Sequence, residues 1–340
     1  MPQSANTALF EPAYPALVIS FDFELHWGVA ERVHGPEHPY WRNLLGAREA
    51  VPQLLALFEE RGIHATWATV GFLFAHGRRD LEAFVPERRP QYVRPAVDNY
   101  RITPGESEEE DPVHFAPRLI AAIRRTPGQE LASHTFSHYY CNEPGQDEPA
   151  FLADLQAAQA IARRTGSTLR SLVFSRNQVR SDYLAALPKA GLEIYRGNPP
   201  DGGYGSSAGG LPPIVNRGKR FLDTYLTLSG HHTVPWADIA NSYPHNVRAS
   251  RFLRPYNYRL RLLEPLKQRR IIIGLRAAAQ RNEIFHLWWH PHNFGAHTAE
   301  NLRGLERILE EYRRLHASAG MRSLNMSEAA DEALRMVCAA

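Results

Sequence analysis

The chain has 340 residues, 44% apolar and 22% charged, a composition that supports one large α/β barrel or two ordinary domains rather than disorder. The formal net charge of +3 is small for this length and the basic residues are scattered, which argues against a nucleic-acid binder. Two cysteines, Cys141 and Cys338, exclude a disulfide framework and a four-thiolate zinc site.

The opening MPQSANTALFEPAYP lacks a basic segment followed by an apolar core, and the longest apolar runs fall far short of a bilayer's thickness. The expectation is a soluble cytoplasmic protein without a transmembrane segment. ALVISFDF (16–23) then reads as a buried strand, and REAVPQLLALFEERG (48–62) as a helix stopped by Gly62. IHATWATVG (63–71) is strand-like. RITPGESEEEDP (101–112) is an acidic loop rich in turn residues. APRLIAAIRR (116–125) is helical, QELASHT (129–135) is a strand, and residues 149–166 form a helix. A strand at 169–176, a helix at 182–191 and a strand at 192–197 follow. Residues 197–213 are dominated by Gly, Pro and Ser and read as a long loop. Residues 229–259 carry many aromatics and histidines without clean periodicity. NEIFHLWWH (282–290) is the last strand, and residues 299–320 form a long helix. Alternation of strand and helix on this scale predicts a parallel sheet, open or closed into a barrel.

Barrel chemistry sits at the C-terminal ends of the strands. Asp22 and Glu24 end the first strand, His134 and His138 follow the third, and Arg176 ends a later one. His290 and His292 end the last. Residues i and i+2 of a strand share a face, so Asp22 and Glu24 can both point at one centre. The four-residue spacing of His134 and His138 lets both rings face one point if the backbone begins a helical turn. Two imidazoles and one carboxylate make a three-ligand site for a divalent metal, with positions left for water and substrate. His26 and Trp27, just after the acids, are candidate pocket wall, since sugar rings stack on aromatics. Trp288 and Trp289 are adjacent, so a strand turns one of them away from the site. His286 shares a face with His290 and reads as a buried, hydrogen-bonded core histidine. Cys141 reads as buried and inert.

SHTFSH resembles the HTxxH signature of the polysaccharide deacetylase family, the NodB-like carbohydrate esterases. SFDFE stands where that family has TFDD, FSRNQ stands at its Arg-x-Pro element, and LWWHPHNF looks like its late histidine element. The motifs occur in family order from about residue 16 to residue 294. The resemblance implies an α/β fold, a distorted (β/α) barrel of the NodB type with fewer than eight regular strands. It also implies one domain over residues 1–340, with loop insertions near 98–113, 197–214 and 229–260. Carried over residue by residue, Asp22 matches the catalytic base, His134 and His138 the metal-binding histidines, Arg176 the arginine that orients the base, and His290 the general acid. Phe23 replaces the usual second aspartate, so Glu24 is assigned as third ligand. Asn177 and Gln178 follow Arg176 where the family has its proline. For the acid that tunes the catalytic histidine, Asp201 is the one candidate.

The implied activity is metal-dependent removal of an N- or O-acyl group, foremost acetyl, from a sugar. The substrate expected for a cytoplasmic member is a lipid- or nucleotide-linked saccharide of surface-polysaccharide synthesis. Zinc is the first choice of metal, with cobalt, nickel, manganese or iron as alternatives. His26, Trp27, Trp288, His292 and Asn293 are the expected substrate contacts. Two other readings stay open: an amide hydrolase acting on a non-sugar substrate, and a non-catalytic saccharide-binding member.

Overall fold

The computed structural model describes residues 14–200 and 221–338. Asp201 and most of the Gly/Pro/Ser stretch lie outside them. Among the described residues, nine strands form one sheet: β1 (Ala16–Phe23), β2 (Ala65–Thr69), β3 (Gln129–Ser133), β4 (Ser171–Val173), β5 (Ile194–Arg196), β6 (His245–Asn246), β7 (Arg251–Phe252), β8 (Ile284–Trp289) and β9 (Arg322–Leu324). The order is β6-β5-β4-β3-β2-β1-β8-β7, all pairs being parallel, and β9 pairs with the start of β1. Only β1, β2, β3 and β8 reach five residues; the others are two- or three-residue stubs, which makes this a distorted (β/α) barrel.

Among the described residues the α-helices are α1 (Trp41–Arg61), α2 (Arg78–Glu82), α3 (Pro117–Arg125), α4 (Glu148–Arg164), α5 (Ala186–Lys189), α6 (Trp236–Ala240), α7 (Glu264–Arg281), α8 (Thr298–Ala319) and α9 (Met326–Cys338). α1 ends where Gly62 turns left-handed at φ +61°, the stop expected from sequence.

Strand alternation divides the core in two. Outward residues of β1 (Leu17, Ile19, Phe21, Phe23) pack with Trp67, Trp289 and Phe58 between sheet and helices. Inward residues form layers. The bottom is an apolar plug of Ala16, Val18, Ile194 and Ile284, covered by Met326, Ala329, Ala330 and Ala333 of α9. Above it, small residues (Ala68, Ala132, Val173) and polar ones (Ser20, His286) leave room for the larger side chains at the top.

The stretch 229–260, expected to be an insertion, belongs to the barrel instead. Val247 and Ala249 donate backbone hydrogen bonds to Tyr195 and Gly197 beside β5, whereas Ser250 and Leu253 donate to His286 and Trp288 of β8. One extended segment thus bridges the two ends of the sheet. Its pattern was masked because it pairs with each neighbour over only two or three residues, too short for a period to emerge. α7, β9 and α9 likewise carried no assignment from sequence.

Candidate metal and acid–base centre

Glu24 stands just beyond β1 and His134 just beyond β3, at the C-terminal rim of the barrel. The segment from His134 to His138 is not the helical turn expected from its spacing. Thr135 and His138 are both left-handed, at φ +63° and +60°. Such backbone persists only where its surroundings over-determine it. Here Asp154 of α4 accepts from the Phe136 amide at 2.6 Å, from Ser137 Oγ at 2.5 Å and from the Tyr100 hydroxyl at 2.8 Å. Asn99 donates to the carbonyls of Trp27 and Ser137, both at 2.9 Å. The Thr135 hydroxyl accepts from the Tyr139 amide at 2.7 Å. The result brings the rings of His134 and His138 to a centroid separation of 5.0 Å.

Glu24 Oε2 lies 3.3 Å from His134 Nε2 and 3.0 Å from His138 Nε2, and one donor atom from each residue falls within 4.8 Å of the others. All three residues are buried. His134 Nδ1 donates to the Val173 carbonyl at 2.9 Å, which leaves the lone pair of Nε2 facing a carboxylate oxygen. Two acceptors face each other there, an arrangement that calls for a cation between them. The contact to His138 is not aligned as a hydrogen bond, and neither ring nitrogen of His138 has a hydrogen-bond partner among the described residues. A buried imidazole with nothing to bond is the donor a metal uses. The residues therefore fit a divalent cation in a His₂-carboxylate site. Gly28 makes room for the carboxylate: a Cβ at this position would overlap the Glu24 side chain.

Asp22 points into the same space. Its partner is Arg196 of β5, with Nη1 at 2.7 Å from Oδ1 and Nη2 at 2.9 Å from Oδ2. Arg196 also donates to Ser20 Oγ and to Asn177 Oδ1, both at 2.9 Å, and its guanidinium lies 4.2 Å from the Trp288 ring centroid. Ser20 in turn bonds His286 Nε2 at 2.8 Å, and His286 Nδ1 bonds the Val247 carbonyl at 3.0 Å. Burial pushes the His286 pKa down to about 3, so the ring is neutral and serves as a fixed acceptor. Burial alone would raise the Asp22 pKa; the Arg196 guanidinium beside it outweighs burial and holds the carboxyl below its ordinary range.

This corrects the expected orienter of the base. Arg176 and Asn177 both adopt φ +54° just after β4, which swings Arg176 outward. Its guanidinium contacts Glu31 and lies 4.5 Å from the Tyr140 ring centroid, at the rim of the cavity. The same turn sends Asn177 inward to Arg196. Arg196 was legible in principle, being two residues after inward-facing Ile194 on a short strand.

His290 follows β8, with Nε2 at 3.8 Å from Asp22 Oδ2 and 3.5 Å from Glu24 Oε1. Asn293 Nδ2 donates to His290 Nδ1 at 3.3 Å, and the Tyr40 hydroxyl donates to Asn293 Oδ1 at 2.8 Å. With Nδ1 accepting, the proton resides on Nε2 and faces the two acids. The turn carrying these residues is locked to α1 where Gly46 meets the backbone of Gly295, a contact no Cβ could share.

A cavity of ≈ 740 Å³ opens over this centre. Asp22, Glu24, His138, His290, His292 and Asn293 form its floor, and Val33, Tyr40, Arg176 and Phe252 are among its walls. His292 is buried, and burial and His290 lower its pKa to about 3. Three expected substrate contacts lie elsewhere. His26 is buried, bonded to His114 Nε2 at 2.7 Å and to the Val33 carbonyl at 2.6 Å. Trp27 is fully buried and donates to the His114 carbonyl at 2.9 Å. The turn Leu25–Gly28 directs both side chains behind the wall. Trp288 supports Arg196 from below.

The chain matches no family model and no curated protein. Solved structures do resemble it. One, described as a polysaccharide deacetylase from Mycobacterium smegmatis, is 13% identical with a TM-score of 0.58, over 96% of this chain and 93% of that one. A second, described in the same terms and from Pseudomonas aeruginosa PAO1, is 13% identical with a TM-score of 0.52, over 94% and 90%. An allantoinase is 13% identical with a TM-score of 0.50, over 95% and 89%. The likeness is one of fold, and the fold is the NodB-type barrel that the motifs imply.

Proposed function

We propose that this chain is a divergent NodB-like hydrolase, metal-dependent, that removes an N- or O-acyl group from a saccharide. The observation that carries the reading is a buried Glu24–His134–His138 cluster beside an ionised Asp22 and a His290 with its proton on Nε2. A divalent cation, with zinc the first candidate, would be held by Glu24, His134 and His138 and would supply Lewis-acid activation of water and of the acyl oxygen.

The chain's own groups supply the proton transfers. Asp22, kept ionised by Arg196, accepts the proton of the attacking water. To act as the acid His290 takes up a second proton: as imidazolium it gives its Nε2 proton to the departing amine or alcohol of the sugar and returns to the neutral ring, which Asn293 and Tyr40 orient. The cavity is of a size that admits a sugar unit, and Tyr40 and Phe252 offer rings for its apolar face. A lipid- or nucleotide-linked saccharide of surface-polysaccharide synthesis, acted on in the cytoplasm, remains the substrate this reading favours.

The test is acetate release from a panel of N- and O-acetylated saccharides, with and without a chelator and with metal added back. Release that the chelator abolishes and metal restores supports the proposal; release undiminished in metal-free protein refutes it. Because an allantoinase shares the fold, cyclic amides belong in the panel. Turnover of those, with none of any acylated sugar, would favour a non-sugar amide hydrolase.

A further inference from the structure

Among the described residues, seven of the eleven large apolar side chains that stand exposed fall in two short segments. Phe221, Leu222, Leu226 and Leu228 form one group; Tyr258, Leu262 and Leu266 form the other, around the start of α7. The segments are neighbours in space. Arg254 joins them: its Nε donates to Thr224 Oγ1 at 2.8 Å, and its carbonyl accepts from Lys267 Nζ, at the start of α7, at 2.9 Å. The rings of Phe221 and Tyr225 are 5.3 Å apart.

The same face is strongly basic. Residues 251–270 hold seven Arg or Lys and one acid, Glu264. Lys267 neutralises Glu264 at 2.6 Å, and Arg251 neutralises Asp223. Arg259, Arg261 and Arg269 project into solvent between the apolar side chains. Leu262 is 85% exposed. An apolar ridge studded with uncompensated cations matches a surface that is apolar just beneath a layer of negative charge.

We propose that this face docks on an anionic lipid surface. Apolar side chains enter the headgroup region while the arginines pair with lipid phosphates. Attachment is peripheral, since no described helix is long and apolar enough to cross a membrane. Phe252 lines the cavity and Arg254 belongs to the docking face, so docking brings the cavity mouth beside the lipid. The inference stands on this surface and is independent of the reaction proposed above.

The test is cosedimentation of the full chain with vesicles of phosphatidylcholine alone, and with vesicles in which phosphatidylglycerol replaces part of it. The proposal expects binding to the anionic vesicles that weakens with salt. It expects Arg259→Gln combined with Arg261→Gln to reduce that binding about thirtyfold. Leu262→Ser should reduce it as well. All variants should keep the wild-type melting temperature. No binding to anionic vesicles, equal binding to both kinds, or indifference to the arginine pair overturns it. So does concentration-dependent self-association in ultracentrifugation that Leu262→Ser abolishes, since the face would then bind a second copy of the chain.

Discussion

Arg196 and Asp22 stand four strands apart in the sheet and meet inside the barrel, with Nη1 2.7 Å from Oδ1 and Nη2 2.9 Å from Oδ2. The pair is fully desolvated, and the arginine is itself fixed by Ser20, Asn177 and Trp288. The state of Asp22, the proposed general base, therefore depends on a residue remote in sequence and silent in the motifs.

Arg196→Met should lower kcat/KM on the order of 10²-fold, within the range for disabling a general base. It should also move the acid limb of the pH–rate profile to higher pH. Arg196 lowers the Asp22 pKa and burial raises it, so removing the cation leaves burial unopposed. Arg176→Met should leave that limb in place and alter KM, since Arg176 lies at the rim. The profiles of both variants decide between the two arginines.

That Glu24, His134, His138, Asp22 and His290 come together was legible in the sequence, because each ends or follows a strand recognisable by its apolar run. Arg196 and the closing strand were obscured by a shared cause. β4 to β7 are two or three residues long, so no periodicity marks which side chains face inward. The pocket wall was misread for a different reason. His26 and Trp27 follow the acids closely in sequence, but a 3₁₀ turn after a strand sends successive side chains in directions that spacing does not reveal.

His290→Ala should lower kcat by about 10²- to 10⁴-fold while leaving metal content unchanged. The loss should be smallest for esters whose leaving group departs as a stable anion, such as p-nitrophenolate, which needs no proton. Asn293→Ala should fall between wild type and His290→Ala, because it frees the ring's orientation without removing the ring. A comparison of amide and aryl-ester substrates measures both effects.

Gly28→Ala should weaken divalent-metal affinity by about 10- to 100-fold, as loss of a supporting contact does elsewhere. The added methyl overlaps the Glu24 carboxylate and forces it from the histidines. Calorimetric titration with cobalt or zinc tests this; unchanged affinity would mean that Glu24 does not coordinate from its present position.

Asp154 anchors the segment that carries both histidines, and burial raises its pKa from 3.8 to about 6. Asp154→Ala should destabilise the fold by about 1–3 kcal/mol, since buried donors lose their acceptor. The folded carboxyl holds its proton more tightly than the unfolded one. The proton-linked part of its contribution to stability is thus full below pH 3.8 and lost as pH rises through about 6. The melting-temperature advantage of wild type over Asp154→Asn should shrink over that interval.

Glu24, His134 and His138 are proposed to hold one divalent cation. Anomalous diffraction from a crystal grown with zinc or cobalt measures this directly. One strong peak is expected at about 2.0–2.2 Å from a Glu24 carboxylate oxygen and from Nε2 of both histidines, absent in Glu24→Ala. A peak elsewhere, or none at this cluster in protein that is turning over substrate, would contradict it.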